Sequence, residues 1–253
     1  MAGSDSGGGA GIQADLKTFA AFGVHGASAI TCLTAQNPRH ILAVESTTAK
    51  MLRQQIEAVF RELHPAAVKT GMLLSAENVR AVANFLKSQR RLRLVVDPVT
   101  VSTSGARLLT PAAIKVLQER LLPLATLVTP NLHETEILTG GKVTSVENMR
   151  AAACEIHTRF GCAALVKGGH LRGMCEAVDV FYDGRTELLL TAPFIKGVRT
   201  HGTGCTYSAA ITAALALDRD LPRAVGLAKN YITQAIAGGY RVGKHFALNP
   251  LFQ

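Results

Sequence analysis

The sequence contains no tryptophan, and only 5% of its residues are aromatic. Aromatic side chains are the platforms on which nucleic-acid bases stack, so a nucleic-acid partner is not expected despite a net charge of +9. The densest basic cluster, residues 89–93, falls between a predicted helix and a predicted strand. We expect the dispersed positive charge to attract small anions instead.

Two further absences exclude other classes of protein. No apolar run approaches the ~20 residues that a membrane-spanning helix requires, so no membrane partner is expected. The five cysteines are scattered, odd in number and without a Cys-x-x-Cys pair, which argues against a zinc site and a disulfide framework. This usage of cysteine favours the reducing cytoplasm.

What the sequence does contain is a repeated alternation of apolar strands and amphipathic helices. Helices are predicted at 12–22, 50–63, 76–89, 111–121 and 146–159, and strands at 25–34, 41–45, 66–70, 92–97, 125–129 and 162–167. This rhythm predicts an α/β fold, with a parallel sheet between helix layers. A hairpin around Asp183-Gly184, a last helix at 223–237 and an irregular tail follow. Because no linker or repeat interrupts the chain, we expect one domain over residues 1–253.

Polar or functional side chains follow nearly every predicted strand. Ligands of such sheets bind beyond the carboxyl ends of the strands, so these residues are candidates for one site. They are Gln36, Met72, Asp97, Asn131, Glu134 and Lys167. Two readings of Asn131 and Glu134 stay open, because a pair three residues apart at a helix start can hold Mg²⁺ through water or cap the helix.

A glycine-rich turn at residues 199–206 runs directly into an alanine-rich helix. This order places Gly202, Thr203 and Gly204 at a helix N-terminus, which attracts phosphate. Cys205 follows in the first turn, where we expect its pKa to fall below the free value of about 8.5. The amides of this turn and a Cys205 base suit phosphoryl transfer. A helix capped by Thr203, with an inert buried cysteine, explains the local pattern equally well.

The chain also resembles a known family over nearly its whole length. Residues 2–18, 34–37, 69–72, 97–99, 129–134, 167–170 and 201–206 resemble the hydroxymethylpyrimidine/phosphomethylpyrimidine kinases of thiamine biosynthesis, which belong to the ribokinase-like superfamily. The resemblance implies a three-layer α/β/α sandwich with a mostly parallel central sheet. It also implies a homodimer that uses ATP and Mg²⁺ to phosphorylate 4-amino-5-hydroxymethyl-2-methylpyrimidine, and then to convert the monophosphate to the diphosphate.

The matched segments also imply roles for individual residues. The pyrimidine pocket would be lined by Gly3, Asp15, Gln36, Met72 and Val99. The nucleotide would be bound by Asn131, Lys167 and Thr203, and the metal by Glu134 and Asp97. Cys205 would be the catalytic base, with Gly202, Thr203 and Gly204 around the transferred phosphoryl group. The superfamily usually has aspartate where Cys205 stands.

The sequence departs from the family pattern at three places. The hydrophobic first strand is reduced to its last part at Met1, so we expect either an upstream start or another segment in the gap. Thr100 stands where methionine is common, and Ala106 where aspartate is frequent. Two other functions remain open: a pyridoxine or pyridoxal kinase with the same Gly-Thr-Gly-Cys loop, and a pyrimidine sensor without catalysis.

Overall fold

The computed structural model describes residues 1–89, 92–101, 108–169, 171, 175–195 and 201–252. Ala106, His170 and the start of the glycine-rich turn, residues 199–200, lie outside these ranges. A three-stranded sheet contains β1 (Ala2–Asp5), β2 (Ile30–Gln36) and β3 (Ile41–Ser46) in that order. β1 is parallel to β2, and β3 is antiparallel to β2.

The four-residue strand β1 pairs with β2 and lies next to the second sheet. Its preceding residue, Met1, contacts the neighbouring sheet: the Gly71 amide donates to the Met1 carbonyl over 2.9 Å, and the Met1 nitrogen donates to the Lys69 carbonyl over 2.8 Å. Ala2 is buried at 1% exposure. The start of the chain therefore links the two sheets at their shared edge.

The second sheet has six strands in sequence order. These are β4 (Ala67–Thr70), β5 (Arg93–Val96), β6 (Leu127–Val128), β7 (Ala163–Lys167), β8 (Glu176–Tyr182) and β9 (Glu187–Pro193). β4 to β7 are parallel, whereas β8 and β9 form the predicted antiparallel hairpin at the edge. Because parallel strands align their carboxyl ends, the segments after β4, β5, β6 and β7 lie along one edge.

Eight α-helices are described. They are α1 (Gly11–Ala21), α2 (Ala49–Leu63), α3 (Ala76–Leu86), α4 (Pro111–Val116), α5 (Leu132–Thr139), α6 (Val146–Phe160), α7 (Thr203–Ala216) and α8 (Leu221–Ala237). Alternating strand residues divide the core in two: Leu94 and Val96 face the layer that contains α2, α3, α4 and α6, whereas Val95 packs against α7 and α8. The predicted three-layer sandwich with a mostly parallel central sheet is confirmed.

The sequence was less accurate at the ends of elements. The helix predicted at 111–121 is α4 followed by a π-helical turn, Leu117–Leu121. The prediction of an irregular tail was wrong, because β10 (Tyr240–Val242) and β11 (His245–Ala247) form an antiparallel hairpin. The hairpin turns at Gly243, which has a φ of 58°. Strands of three residues are too short for an alternating pattern to reveal. Among the described residues, no helix has the length and apolarity to cross a membrane.

Candidate active site

The N-terminus of α7 contacts the glycine-rich loop that follows β1. Gly202 is the N-cap residue, with a φ of 86°, and a Cβ there would collide with the Gly9 carbonyl oxygen. Both the left-handed backbone and the close approach require glycine. The first helical bond runs from the Thr206 amide to the Gly202 carbonyl, so Thr203 is a residue of the first turn rather than its cap.

Asp97, at the end of β5, is the centre of a buried polar cluster beside this helix. Its Oδ1 atom lies 3.1 Å from Lys167 Nζ and accepts from Thr129 Oγ1 over 3.4 Å. Its Oδ2 atom accepts from Ser208 Oγ, one turn into α7, over 3.3 Å. A Cβ at Gly204 would lie 3.2 Å from Lys167 Nζ. The strand-end acid, the lysine and the first turn of α7 thus surround one small volume.

Glu134 extends this cluster from the start of α5. Its Oε2 atom accepts from the Asn131 amide and Asn131 Oδ1 accepts from the Glu134 amide, both over 2.9 Å, which makes a reciprocal capping box. Oε1 accepts from the Thr100 amide over 3.1 Å. Burial raises the pKa of Glu134 to about 7; Lys167 opposes the rise and Asp97 adds to it. The capping interpretation of Asn131 and Glu134 is therefore correct. The capping box holds the Glu134 carboxyl beside Asp97 and Lys167.

Cys205 lies between this cluster and a second ion pair. Lys69 Nζ in β4 donates to Asp15 Oδ1 in α1 over 2.7 Å, and both side chains are buried. Burial raises the pKa of the Cys205 thiol to about 11; the Lys69 ammonium opposes this rise, and the Asp97 and Asp15 carboxylates reinforce it. The predicted low pKa is wrong, because burial and the Asp97 and Asp15 carboxylates outweigh the favourable helix terminus and Lys69.

The residues expected around a pyrimidine ring occupy the neighbouring ends of β1, β2, β4 and β5. A Cβ at Gly3 would lie 3.8 Å from Met72 Sδ, so the β1 backbone and the thioether are adjacent. Val99 has a φ of 35°, an uncommon conformation for a β-branched residue that is often associated with functional sites. Gln36 is half-buried at the end of β2. Asp15 is only 4% exposed and is already paired with Lys69.

Reasoning from the sequence missed three residues of the candidate site, which are Lys69, Asp5 and His201. Lys69 had a signal, because a lysine inside an apolar strand needs a buried partner. Asp5 and His201 had none, because they lie 196 residues apart and meet only in the fold, at 3.0 Å between Asp5 Oδ2 and His201 Nε2. Gln36 Nε2 lies 2.9 Å from the same His201 nitrogen.

The side chains near Asp97 suit a magnesium ion held jointly with phosphates. Mg²⁺ takes oxygen ligands, commonly one or two carboxylates, with waters and substrate phosphates completing the shell. Asp97 and Glu134 provide two carboxylates, and the buried Thr100 hydroxyl beside them has no hydrogen-bond partner within the described part of the chain. The same residues contain no group of three or more acidic, cysteine or histidine side chains that would hold a metal alone.

Comparison with known proteins identifies the family of this chain. Residues 5–249 match the phosphomethylpyrimidine kinase family. A hydroxymethylpyrimidine/phosphomethylpyrimidine kinase of Rhizobium meliloti (strain 1021) is 51% identical over 243 residues, which are 96% of this chain and 91% of that protein.

Solved structures give the same result. The phosphomethylpyrimidine kinase of Clostridium difficile 630 has a TM-score of 0.82 and 45% identity, covering 92% of this chain and 96% of that one. An ADP complex of Bacillus subtilis pyridoxal kinase has a TM-score of 0.89 and 36% identity, covering 98% of this chain and 94% of that one. This chain therefore belongs to the phosphomethylpyrimidine kinase family and is by membership a kinase, with the ribokinase-like fold.

Proposed function

We propose that this chain uses ATP and Mg²⁺ to phosphorylate 4-amino-5-hydroxymethyl-2-methylpyrimidine, and then its monophosphate, in thiamine biosynthesis. The observation that supports this most directly is the position of Gly204 in the first turn of α7, close to both Lys167 and Asp97. A helix N-terminus and an ammonium together bind a phosphoryl group, and Cys205 follows immediately. Family membership supports the choice of substrate.

In this proposal the chain positions the reactants and moves one proton. In the first step the substrate hydroxyl oxygen forms a bond to the γ-phosphorus of ATP as the bond to the β-phosphate oxygen breaks and ADP leaves, and the hydroxyl proton passes to Cys205 Sγ. In the second step an ionised oxygen of the monophosphate takes the place of the hydroxyl oxygen, so no proton has to be removed from it. Lys167 and the amides of Thr203 and Gly204 stabilise charge on the transferred group, and Asn131 lies beside the nucleotide. When bound at Asp97 and Glu134, Mg²⁺ supplies positive charge to the phosphate oxygens.

The base must be a thiolate, and the ligand-free site disfavours that form. Asp97 is one of the charges that raise the Cys205 pKa, whereas Lys69 and a backbone hydrogen bond from Gly11 lower it. A cation held at Asp97 would offset part of this opposing negative charge. We therefore propose that Cys205 becomes a competent base only in the complete complex.

Steady-state kinetics with each phosphorylation step test this proposal. Cys205→Ala is expected to lower kcat for phosphorylation of the hydroxyl by about 10²–10⁴, the usual contribution of a general base. Cys205→Asp restores the superfamily's usual acid, so we expect partial recovery and loss of the thiol limb of the pH–rate profile. Cys154→Ala, an exposed cysteine of α6, is the matched control. Wild-type kcat in Cys205→Ala would remove Cys205 from the mechanism.

Pyridoxal phosphorylation is the second candidate, supported by the similarity to Bacillus subtilis pyridoxal kinase. Both substrates are flat heteroaromatic rings that bear a hydroxymethyl group. Parallel measurement of kcat/KM decides between them, and a higher value for pyridoxal would refute the pyrimidine assignment. Pyrimidine binding without ADP formation would instead identify a sensor.

We also propose that the protein is a cytoplasmic homodimer. Leu42 is 76% exposed and Leu33 is 53% exposed on the sheet of β1, β2 and β3, and Val44 lies on the same sheet. Apolar exposure of this kind favours burial against a second copy. Light scattering after gel filtration should report a dimer, and Leu42→Glu should shift it towards the monomer. A monomeric wild type would refute the dimer.

A further inference from the structure

The glycine-rich loop that follows β1 contacts His201, which lies just before α7. The loop is folded around the Asp5 carboxylate: Oδ1 accepts from the Gly7 amide over 2.8 Å, and Oδ2 accepts from Gly9 and Ala10 over 3.2 and 2.9 Å. The fourth partner is His201 Nε2, 3.0 Å from Oδ2. Asp5 is 3% exposed, so this carboxylate is part of a built arrangement rather than a surface contact.

Hydrogen bonds keep the Asp5 carboxyl ionised despite its burial. Burial raises its pKa, but hydrogen bonds from His201 and from the Gly7 and Ala10 amides lower it more, and the net pKa lies below its usual value. A carboxylate has no hydrogen to donate, so His201 must contribute an Nε2–H to this contact. The tautomer of His201 is thus fixed by Asp5.

The Nε2–H of His201 determines which end of the Gln36 amide can face it. An Nε2–H group cannot accept a hydrogen bond, yet the Gln36 amide lies 2.9 Å from it. The compatible pattern has the Gln36 oxygen towards His201, where it shares the single Nε2–H with Asp5 Oδ2. The Gln36 NH₂ then lies towards Thr34 Oγ1, which is 3.1 Å from the other end of the amide. Thr34 then donates to the Ser4 carbonyl over 2.9 Å. Amide orientations are chosen by such networks, because oxygen and nitrogen have nearly the same shape.

We propose that His201 is a positioning residue that fixes the glycine-rich loop through Asp5 and sets the orientation of the Gln36 amide. The proposal rests on the proposed pyrimidine site, in which Gln36 meets the ring. An aminopyrimidine edge carries both a donor and acceptors, so the direction of the amide decides whether the two edges are complementary. His201 precedes Gly202, and it therefore connects this recognition to the phosphate-binding turn of α7.

Hydrogen exchange on the ligand-free protein tests the loop contact independently of substrate. In His201→Asn the new side chain is too short to donate to Asp5. In His201→Gln the side-chain amide nitrogen reaches the position that the imidazole Nε2 occupies in the wild type. We expect the Gly9 and Ala10 amides to exchange at least about tenfold faster in His201→Asn and within about twofold of wild type in His201→Gln. His25→Asn, at an exposed histidine, is the control. Unchanged exchange in His201→Asn would refute the loop contact.

Calorimetry and kinetics test the effect on Gln36. We expect His201→Asn to weaken pyrimidine binding about tenfold, with the KM for ATP and kcat changed less than about threefold, and His201→Gln to recover most of the affinity. A double-mutant cycle with Gln36→Ala should give a non-additive result. Additive effects, or a loss confined to kcat and the KM for ATP, would refute the positioning role. Wild-type protein that binds no pyrimidine would overturn the proposed function, and the exchange result would still decide the loop contact.

Discussion

Two buried lysine–aspartate pairs lie on either side of Cys205. They differ in the distance between their charged atoms, in the exposure of the lysine and in the other hydrogen bonds that the aspartate accepts. Lys69 and Asp15 lie 2.7 Å apart, and their side chains are 2% and 6% exposed. Lys167 and Asp97 lie 3.1 Å apart, and Lys167 is 13% exposed. Asp97 also accepts from Thr129 and Ser208, so it does not depend on the lysine alone.

This difference separates a fixed charge from an exchangeable one. Burial lowers the pKa of Lys69, but Asp15, Cys205 and Asp97 raise it more, so Lys69 stays charged beside the thiol. A phosphate that enters beside Gly204 would offer Lys167 an alternative partner. Asp97 would keep the Thr129 hydroxyl, and the Ser208 hydroxyl that it shares with the Gly204 carbonyl. We call Lys69–Asp15 the closed pair and Lys167–Asp97 the open pair. In the proposed mechanism the closed pair supplies a constant positive charge beside Cys205, and Lys167 of the open pair binds the phosphate.

Breaking the closed pair is expected to have the largest effect. Lys69→Met leaves Asp15 buried without its cation, and such a change typically costs about 3–5 kcal/mol of stability. Urea denaturation at neutral pH measures the loss. Lys87→Met, at an exposed lysine of the α3 terminus, is the control. The double variant Lys69→Met/Asp15→Leu should recover most of the stability, and a loss below about 1 kcal/mol in the single variant would mean that the pair is not closed.

Lys69 also shows where prediction from the sequence ends. Asp97, Glu134 and Lys167 were identifiable because each follows a strand, and strand ends in a parallel sheet converge on one edge. The sheet and its helix layers were identifiable because periodicity is a local property of the chain. The partner of Lys69 was not, because Asp15 lies 54 residues away and no local pattern joins them.

The properties of Cys205 were misjudged for a related reason. Its place in the first turn of a helix is local and was predicted, whereas its pKa depends on burial and on charges from β4, β5 and α1. The same distinction applies to His201, whose contact with Asp5 joins opposite ends of the chain. Sequence patterns identify the candidate site, and long-range contacts determine its electrostatics.

The acid beside the open pair gives the next largest effect, which depends on pH. Because burial raises the pKa of Glu134 from 4.5 to about 7, the folded protein keeps a proton that the unfolded chain has released between these values. The contribution of the protonated Glu134 carboxyl to the free energy of unfolding is therefore fully present below pH 4.5 and is lost as pH rises to 7. Relative to wild type, Glu134→Gln should gain up to about 3 kcal/mol across this window. Denaturation in EDTA, with exposed Glu155→Gln as control, measures the change; a constant difference would contradict the raised pKa.

Breaking the open pair should affect catalysis more than folding. In Lys167→Met, Asp97 keeps the Thr129 hydroxyl, and the Ser208 hydroxyl can turn from the Gly204 carbonyl towards it, so we expect a stability loss of only about 1–2 kcal/mol. Loss of the ammonium at the transferred phosphoryl group should lower kcat/KM for ATP about 100-fold. Denaturation and kinetics on the same preparation give both values. A stability loss equal to that of Lys69→Met would show that the two pairs are equivalent, and would remove the distinction between them.

Narrowing the space beside the open pair is expected to have the smallest effect. In Gly204→Ala the new Cβ would lie 3.2 Å from Lys167 Nζ and 3.9 Å from Asp97 Oδ2. The nearest atom ends a flexible side chain, so the lysine can shift and stability should change by no more than about 1 kcal/mol. The methyl group occupies space that the proposal assigns to phosphate, so the KM for ATP should rise about tenfold. Gly226→Ala in α8, with no atom within 4 Å of the added Cβ, is the matched control and should leave KM unchanged. An unchanged KM in Gly204→Ala as well would place the phosphate elsewhere and leave Lys167 as a structural partner of Asp97.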